Sequence, residues 1–119
     1  MTAKVVNNMG IISISEQVLT TIASNAAMES YGIVGLTTKN ATDGLFLLLG
    51  KDNMSKGVTV YTDNNRVTID LTVILEYGVR ISVVAENIID NVKFAIEDKT
   101  GLKVDKINVL VQDFRVQEA

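Results

Sequence analysis

The stretch GVTVYTDNNRVTIDLTVILEY, residues 57–77, decides the fold. Two β-rich runs flank Asn64-Asn65. Asn tolerates positive φ, so this pair predicts a two-residue type I′ turn. Asp63 then faces Arg66, Val60 faces Ile69, and Val58 faces Leu71. Every apolar residue finds an apolar partner, and opposite charges meet at the turn. A one-residue slip would place Val60 opposite Thr68 and destroy the match. The second strand continues with Val73, Leu75 and Tyr77 on the inner face. Thr68, Asp70, Thr72, Ile74 and Glu76 point the other way. That face is mostly polar, which predicts a sheet covered on one side only.

After this hairpin comes the strongest helical pattern in the chain. Ile81, Val84, Ala85, Ile88, Ile89, Val92, Ala95 and Ile96 form an apolar stripe, with Glu86, Asp90, Lys93 and Glu97 opposite. Thr100-Gly101 ends the helix, and Leu102 folds back on its last turn. Residues 104–116 read as a long final strand. Before the hairpin, residues 10–14 read as a first strand and Ser15 as an N-cap. Glu16 favours the positive end of the following helix. Val18, Leu19, Ile22, Ala23, Ala26 and Ala27 give that helix a narrow apolar stripe. Thr20, Thr21, Ser24 and Asn25 fall on its other side, and Gly32 is placed to end it. Residues 33–38 suit a second strand and 39–44 a loop. The run 45–49 reads as a short helix or a buried apolar plug, since periodicity does not separate these at such a length.

We therefore expect one α+β domain over residues 1–119. Two layers are predicted, with two helices packed on one face of a mixed sheet of four to five strands. The strand order stays open. The length of 119 residues suits one domain. A hydrophobic content of 47% suits a globular chain, and 5% aromatics imply an aliphatic core.

The net charge is -3, with acids and lysines interleaved. That argues against a nucleic-acid partner, which would call for a basic patch. The chain has no Cys and no His. Disulfides, thiolate metal sites and Ser-His-Asp or Cys-His catalysis are thereby excluded. Oxygen ligands at Asp63, Asn64 and Asn65 lack the spacing of a calcium loop, and turn chemistry accounts for them. Gly44 to Lys51 resembles a phosphate loop only superficially. Five apolar residues separate its glycines, and Asp52 follows the lysine. Glu86, Asp90 and Glu97 read as a solvated face rather than an acid–base set. We expect no enzymatic activity, no cofactor and no metal. The N-terminal residues lack a signal-peptide core, and no apolar run approaches the ~20 residues that span a bilayer. A cytoplasmic protein without direct membrane insertion is the expectation.

Several segments, in order and spacing, carry a resemblance over nearly the whole chain. They are Gly10-Ile11-Ile12-Ser13-Ile14-Ser15, Tyr31-Gly32-Ile33-Val34-Gly35 and Ser55-Lys56-Gly57-Val58. Val67-Thr68-Ile69-Asp70-Leu71, Tyr77-Gly78 and Ile81 follow. Thr100-Gly101-Leu102-Lys103-Val104 and Ile107-Asn108-Val109 close the series. The chain resembles the alkaline-shock and general-stress protein family of Gram-positive bacteria, a domain of unknown function. The resemblance implies a small cytoplasmic protein of the envelope stress response. It implies a protein partner, in some members anchored in the membrane so that the protein gathers beneath it. It also implies self-association in some members, and no established enzymatic activity or catalytic residues. Longer members carry charged tails that this chain all but lacks.

The candidate interaction surface is the outer sheet face. If the final strand points outward in phase with Asn108, then Leu110, Phe114 and Val116 emerge beside Tyr61 and Ile74. Such a patch suits an interface. The competing reading is that the first helix or the 45–49 plug covers it. Lys51 and Lys56 flank a polar loop and are secondary candidates for a partner or an anionic lipid. Two functions are carried forward. One is a non-enzymatic interaction protein that binds a protein partner and itself as a homo-oligomer. The other is an accessory or regulatory subunit of a cytoplasmic metabolic enzyme such as a kinase. RNA binding on the sheet is weaker, since the aromatic RNA-binding pattern is absent.

Overall fold

The computed structural model describes residues 2–38 and 56–116. The readings made for residues 39–55, including the 45–49 run and Lys51, lie outside the described residues.

Strands β1 (Thr2–Asn7) and β2 (Gly10–Ser15) pair antiparallel as a hairpin of their own. Helix α1 (Glu16–Met28) follows at once, with Ser15 Oγ accepting from Val18 N at 3.4 Å. Then come β3 (Ile33–Leu36), β4 (Val58–Asp63), β5 (Arg66–Glu76), α2 (Ile81–Thr100) and β6 (Lys103–Arg115).

Strand β5 is the axis of a four-stranded mixed sheet. On one side β6 runs parallel to it from Arg66↔Lys103 to Glu76↔Arg115. On the other side β4 and β3 both pair antiparallel with it, sharing its length end to end. Parallel neighbours need a long crossover, which α2 supplies. The hairpin register is the expected one: Val58↔Leu71, Val60↔Ile69 and Asp63↔Arg66.

Both helices pack on one face of this sheet. Leu19, Ala23, Ala27, Val84, Ile88, Val92 and Ile96 form one core with Val60, Ile69, Leu71, Val73 and Leu75. The alanines of α1 let the layers approach closely. Gly101 ends α2 at φ 76°, and Leu102 is buried behind it. Gly32, at φ 86°, shapes the turn into β3 rather than capping α1, which ends at Met28 with Glu29 as its cap. A Cβ on Gly32 would lie 3.0 Å from a methyl of Val84, so Val84 would have to shift by a few tenths of an ångström to admit one.

Several details differ from expectation. β1 precedes the strand taken as first, because Val5-Val6 and Ile11-Ile12 flank a turn. Ser24 is buried on α1, its hydroxyl donating to Thr21 O at 3.1 Å. Of the turn pair, only Asn64 has positive φ, at 57°, so the turn is not type I′. The ion partner of Arg66 is Asp105 of β6, at 2.6 Å, instead of Asp63. Tyr77 lies past the end of β5 and is exposed rather than inward.

Candidate interaction surfaces

The face of the sheet away from the helices is built in rows across β4, β5 and β6. Partners in register share a face. Tyr61, Thr68 and Lys106 make one row. Thr59, Asp70 and Asn108 make the next, with Asn108 Nδ2 donating to Asp70 Oδ1 at 2.8 Å. Thr72 and Leu110 follow. A shallow depression of about 280 Å³ lies against Asp70, Thr72, Asn108 and Leu110. Tyr61 is 54% exposed and Leu110 40%. They stand at diagonal corners with hydroxyl, amide and carboxylate groups between them.

The expected contiguous patch of Tyr61, Ile74, Leu110 and Phe114 is therefore corrected in two places. Ile74 is fully buried. It sits centrally, flanked by Gly35 of β3 and Asp113 of β6. The chain leaving β3 continues alongside, where Thr37 N donates to Thr72 O at 3.0 Å. Strand parity alone could not show that this end of the face is closed.

Phe114 is on the other face. Val111 pairs with Val73, but Asp113 pairs with Ile74, so Gln112 is an extra residue in β6. One inserted residue reverses the alternation beyond it. Phe114 consequently pairs with Leu75, whose side chain belongs to the helix-side core. It meets Tyr77 edge to face, with ring centroids 6.5 Å apart and an angle of 87°. A second bulge, at Asp105, shifts the register between Val67 and Thr68 and presents Asp105 to Arg66.

Lys56 is exposed, and Lys51 lies outside the described residues. Glu86 and Asp90 are exposed on α2 as expected. Glu97 is not merely solvated, since its carboxylate accepts from Val104 N at 3.0 Å and ties α2 to β6. The Asn64 and Asn65 carbonyls accept from Lys4 N and Lys103 N, both at 2.9 Å, so the turn joins the hairpin and β6 to the sheet. Among the described residues, no group of three or more His, Cys, Asp or Glu is placed to hold a metal ion. The open face presents hydrogen-bonding groups between the side chains of Tyr61 and Leu110.

A feature that sequence reasoning missed is the β1–β2 hairpin, which exposes Val6, Met9, Ile11 and Ile12. The signal was present in Asn7-Asn8-Met9-Gly10 between two apolar pairs.

A family model for alkaline shock protein 23, described as having a cell envelope-related function, matches residues 4–116. The chain belongs to this family. Among its relatives, the uncharacterized protein YloU of Bacillus subtilis is 43% identical over 90% of each chain. The uncharacterized protein Spy1614 of Streptococcus pyogenes serotype M6 is 38% identical over 98% of this chain and 97% of its own. The solved structure of MamM-CTD, in a doubly substituted form, superposes with a TM-score of 0.51 at 12% identity. It covers 87% of this chain and 96% of that one, a likeness of fold alone. The resemblance read from the residues is thus confirmed, as is the α+β class.

Proposed function

We propose that the protein is a non-enzymatic interaction protein of the cell-envelope stress response, which binds a protein partner and associates with itself. The observation that carries this reading is the open sheet face. Both helices lie on the opposite side, and Tyr61 and Leu110 stand exposed among polar groups. A mixed surface of this kind suits a protein partner better than a lipid or a phosphate chain. The family's cell envelope-related function supports the setting. Among the described residues no helix is long and apolar enough to cross a membrane. A membrane-anchored partner would hold this protein at the cytoplasmic surface.

The test is Leu110→Glu beside Lys93→Glu on the exposed face of α2. A charge at the centre of a desolvated contact is costly. Leu110→Glu should keep the circular dichroism and denaturant midpoint of the parent yet lose a protein that the parent retains from a native-cell lysate. Lys93→Glu should retain it. Identical capture by all three proteins would refute the sheet face as the binding surface.

A further inference from the structure

The β1–β2 hairpin carries an unguarded strand edge. Lys4 N donates to Asn64 O at 2.9 Å, so the Lys4 backbone points away from β2. Lys4↔Ser13 is therefore a non-hydrogen-bonded pair of the hairpin. Antiparallel pairs alternate, so Ala3↔Ile14, Val5↔Ile12 and Asn7↔Gly10 hold the ladder. The N–H and C=O of Ile11 and Ser13 must then point outward from β2. Among the described residues, no backbone group bonds to them.

Natural proteins blunt such edges with charges, proline or bulges. β6 has all but proline: Lys103, Asp105, Lys106, Asp113 and Arg115 line it, and its register shifts twice. β2 has none of these. Its sequence GIISIS is uncharged, and its register with β1 is continuous. The apolar side chains around it are also bare. Val6 is 69% exposed, Met9 95%, Ile11 63% and Ile12 54%.

We propose that β2 pairs antiparallel with the β2 of a second copy of this chain, about a two-fold axis at Ile12. Ile11 and Ser13 of each copy exchange N–H···O=C bonds with Ser13 and Ile11 of the other. The two Ile12 side chains then meet at the close, non-hydrogen-bonded position. Axes at Ile12 and at Ser13 both join outward-pointing groups near the middle of the strand, and the axis at Ile12 is the one that sets the two Ile12 side chains against each other. It keeps Ile12 and Ile14 of both copies on one face. Charge permits it, because Lys4 is the sole charged residue of the two strands and it lies on β1. Ile11 and Ile12 lie on opposite faces of β2, so edge pairing covers only their flanks, and the contact stays below the roughly 1,200 Å² of a stable interface. The dimer should therefore be weak, with a dissociation constant on the order of 1–100 μM.

The proposal deepens the self-association part of the interaction reading and uses a surface separate from the sheet face. Its test is sedimentation equilibrium of the parent, Ser13→Pro and Ser13→Ala. Proline removes the outward N–H of residue 13 without touching the β1 ladder, whereas alanine keeps it. The parent and Ser13→Ala should dimerise, and Ser13→Pro should be weakened at least about tenfold. Should Ser13→Pro not fold, amide exchange in the parent decides. The Ile11 and Ser13 amides should exchange more slowly as concentration rises. A parent that stays monomeric to about 0.5 mM, about fivefold above the weakest expected constant, would overturn the proposal. So would exchange independent of concentration, or a folded Ser13→Pro that dimerises like the parent. Retention of a partner through Leu110 should persist in Ser13→Pro. A parent that retains its partner yet never dimerises would sink the β2 pairing and leave the sheet-face reading standing.

Discussion

Ile88→Ala tests the packing of the two layers most directly. Ile88 is fully buried on α2 and belongs to the core shared by both helices and the sheet. Truncation to alanine removes three carbons, at about 0.8 kcal/mol for each buried methylene-sized group, or roughly 2.4 kcal/mol. The residual cavity adds to this, and the better helix propensity of alanine returns about 0.4 kcal/mol. A net loss of about 2–4 kcal/mol follows. For a domain of this size that corresponds to a fall in Tm of roughly 8–16 °C, taking about 4 °C per kcal/mol. Glu86, two residues away, is exposed. Glu86→Ala should change stability by less than about 0.5 kcal/mol. Urea melts of both variants, with unchanged m-values, provide the measurement. Equal losses in the two would mean that α2 faces the sheet with the wrong side, and the layer description would fail.

Other outcomes follow from single sites. Gly32→Ala should cost about 2–3 kcal/mol in the same melts, because its φ is 86° and a methyl would press on Val84; a neutral result would show that this turn relaxes freely. Ile74→Ala should cost about 2–5 kcal/mol, the range for a fully buried aliphatic residue, and a loss below about 0.5 kcal/mol would return Ile74 to the surface. Arg66→Ala should cost less than about 1 kcal/mol, since its ion pair with Asp105 is largely exposed; a larger loss would give the Asp105 bulge a structural weight its exposure does not suggest.

Much of the fold was legible because period and turn chemistry spoke together. The β4–β5 register followed from matching Val58, Val60, Ile69 and Leu71 across two asparagines. The α2 stripe followed from Val84, Ile88, Val92 and Ile96 at helical spacing. What stayed hidden was whatever depends on neighbours that no local pattern names. Ile74 alternates outward with Thr72, yet both are buried, because burial on that face is set by the surroundings rather than by strand parity. Ser24 reads as polar surface, yet it is buried with its hydroxyl satisfied by its own helix. β1 was missed since two adjacent valines show no alternation, and its hairpin exposes apolar side chains that a strand pattern would hide. The candidate patch failed for a related reason: a strand of thirteen residues was read without its two bulges.

The Gln112 bulge separates two variants of β6 by function. If β6 alternated without interruption, Phe114 and Leu110 would lie on one face and act together. With Gln112 as an extra residue, they lie on opposite faces. Phe114→Ala should then behave as a stability variant. It gives up an edge contact with Tyr77 worth about 0.5–1.5 kcal/mol and part of its burial, so a loss of about 1–2 kcal/mol is expected. It should retain any partner that the parent retains. Leu110→Glu should do the reverse, keeping stability and losing the partner. Paired denaturant melts and pull-downs on the two variants separate the cases. Loss of the partner in Phe114→Ala with retention in Leu110→Glu would move the interface to the end of the sheet where Phe114 meets Tyr77, and the open face would have no claim to it.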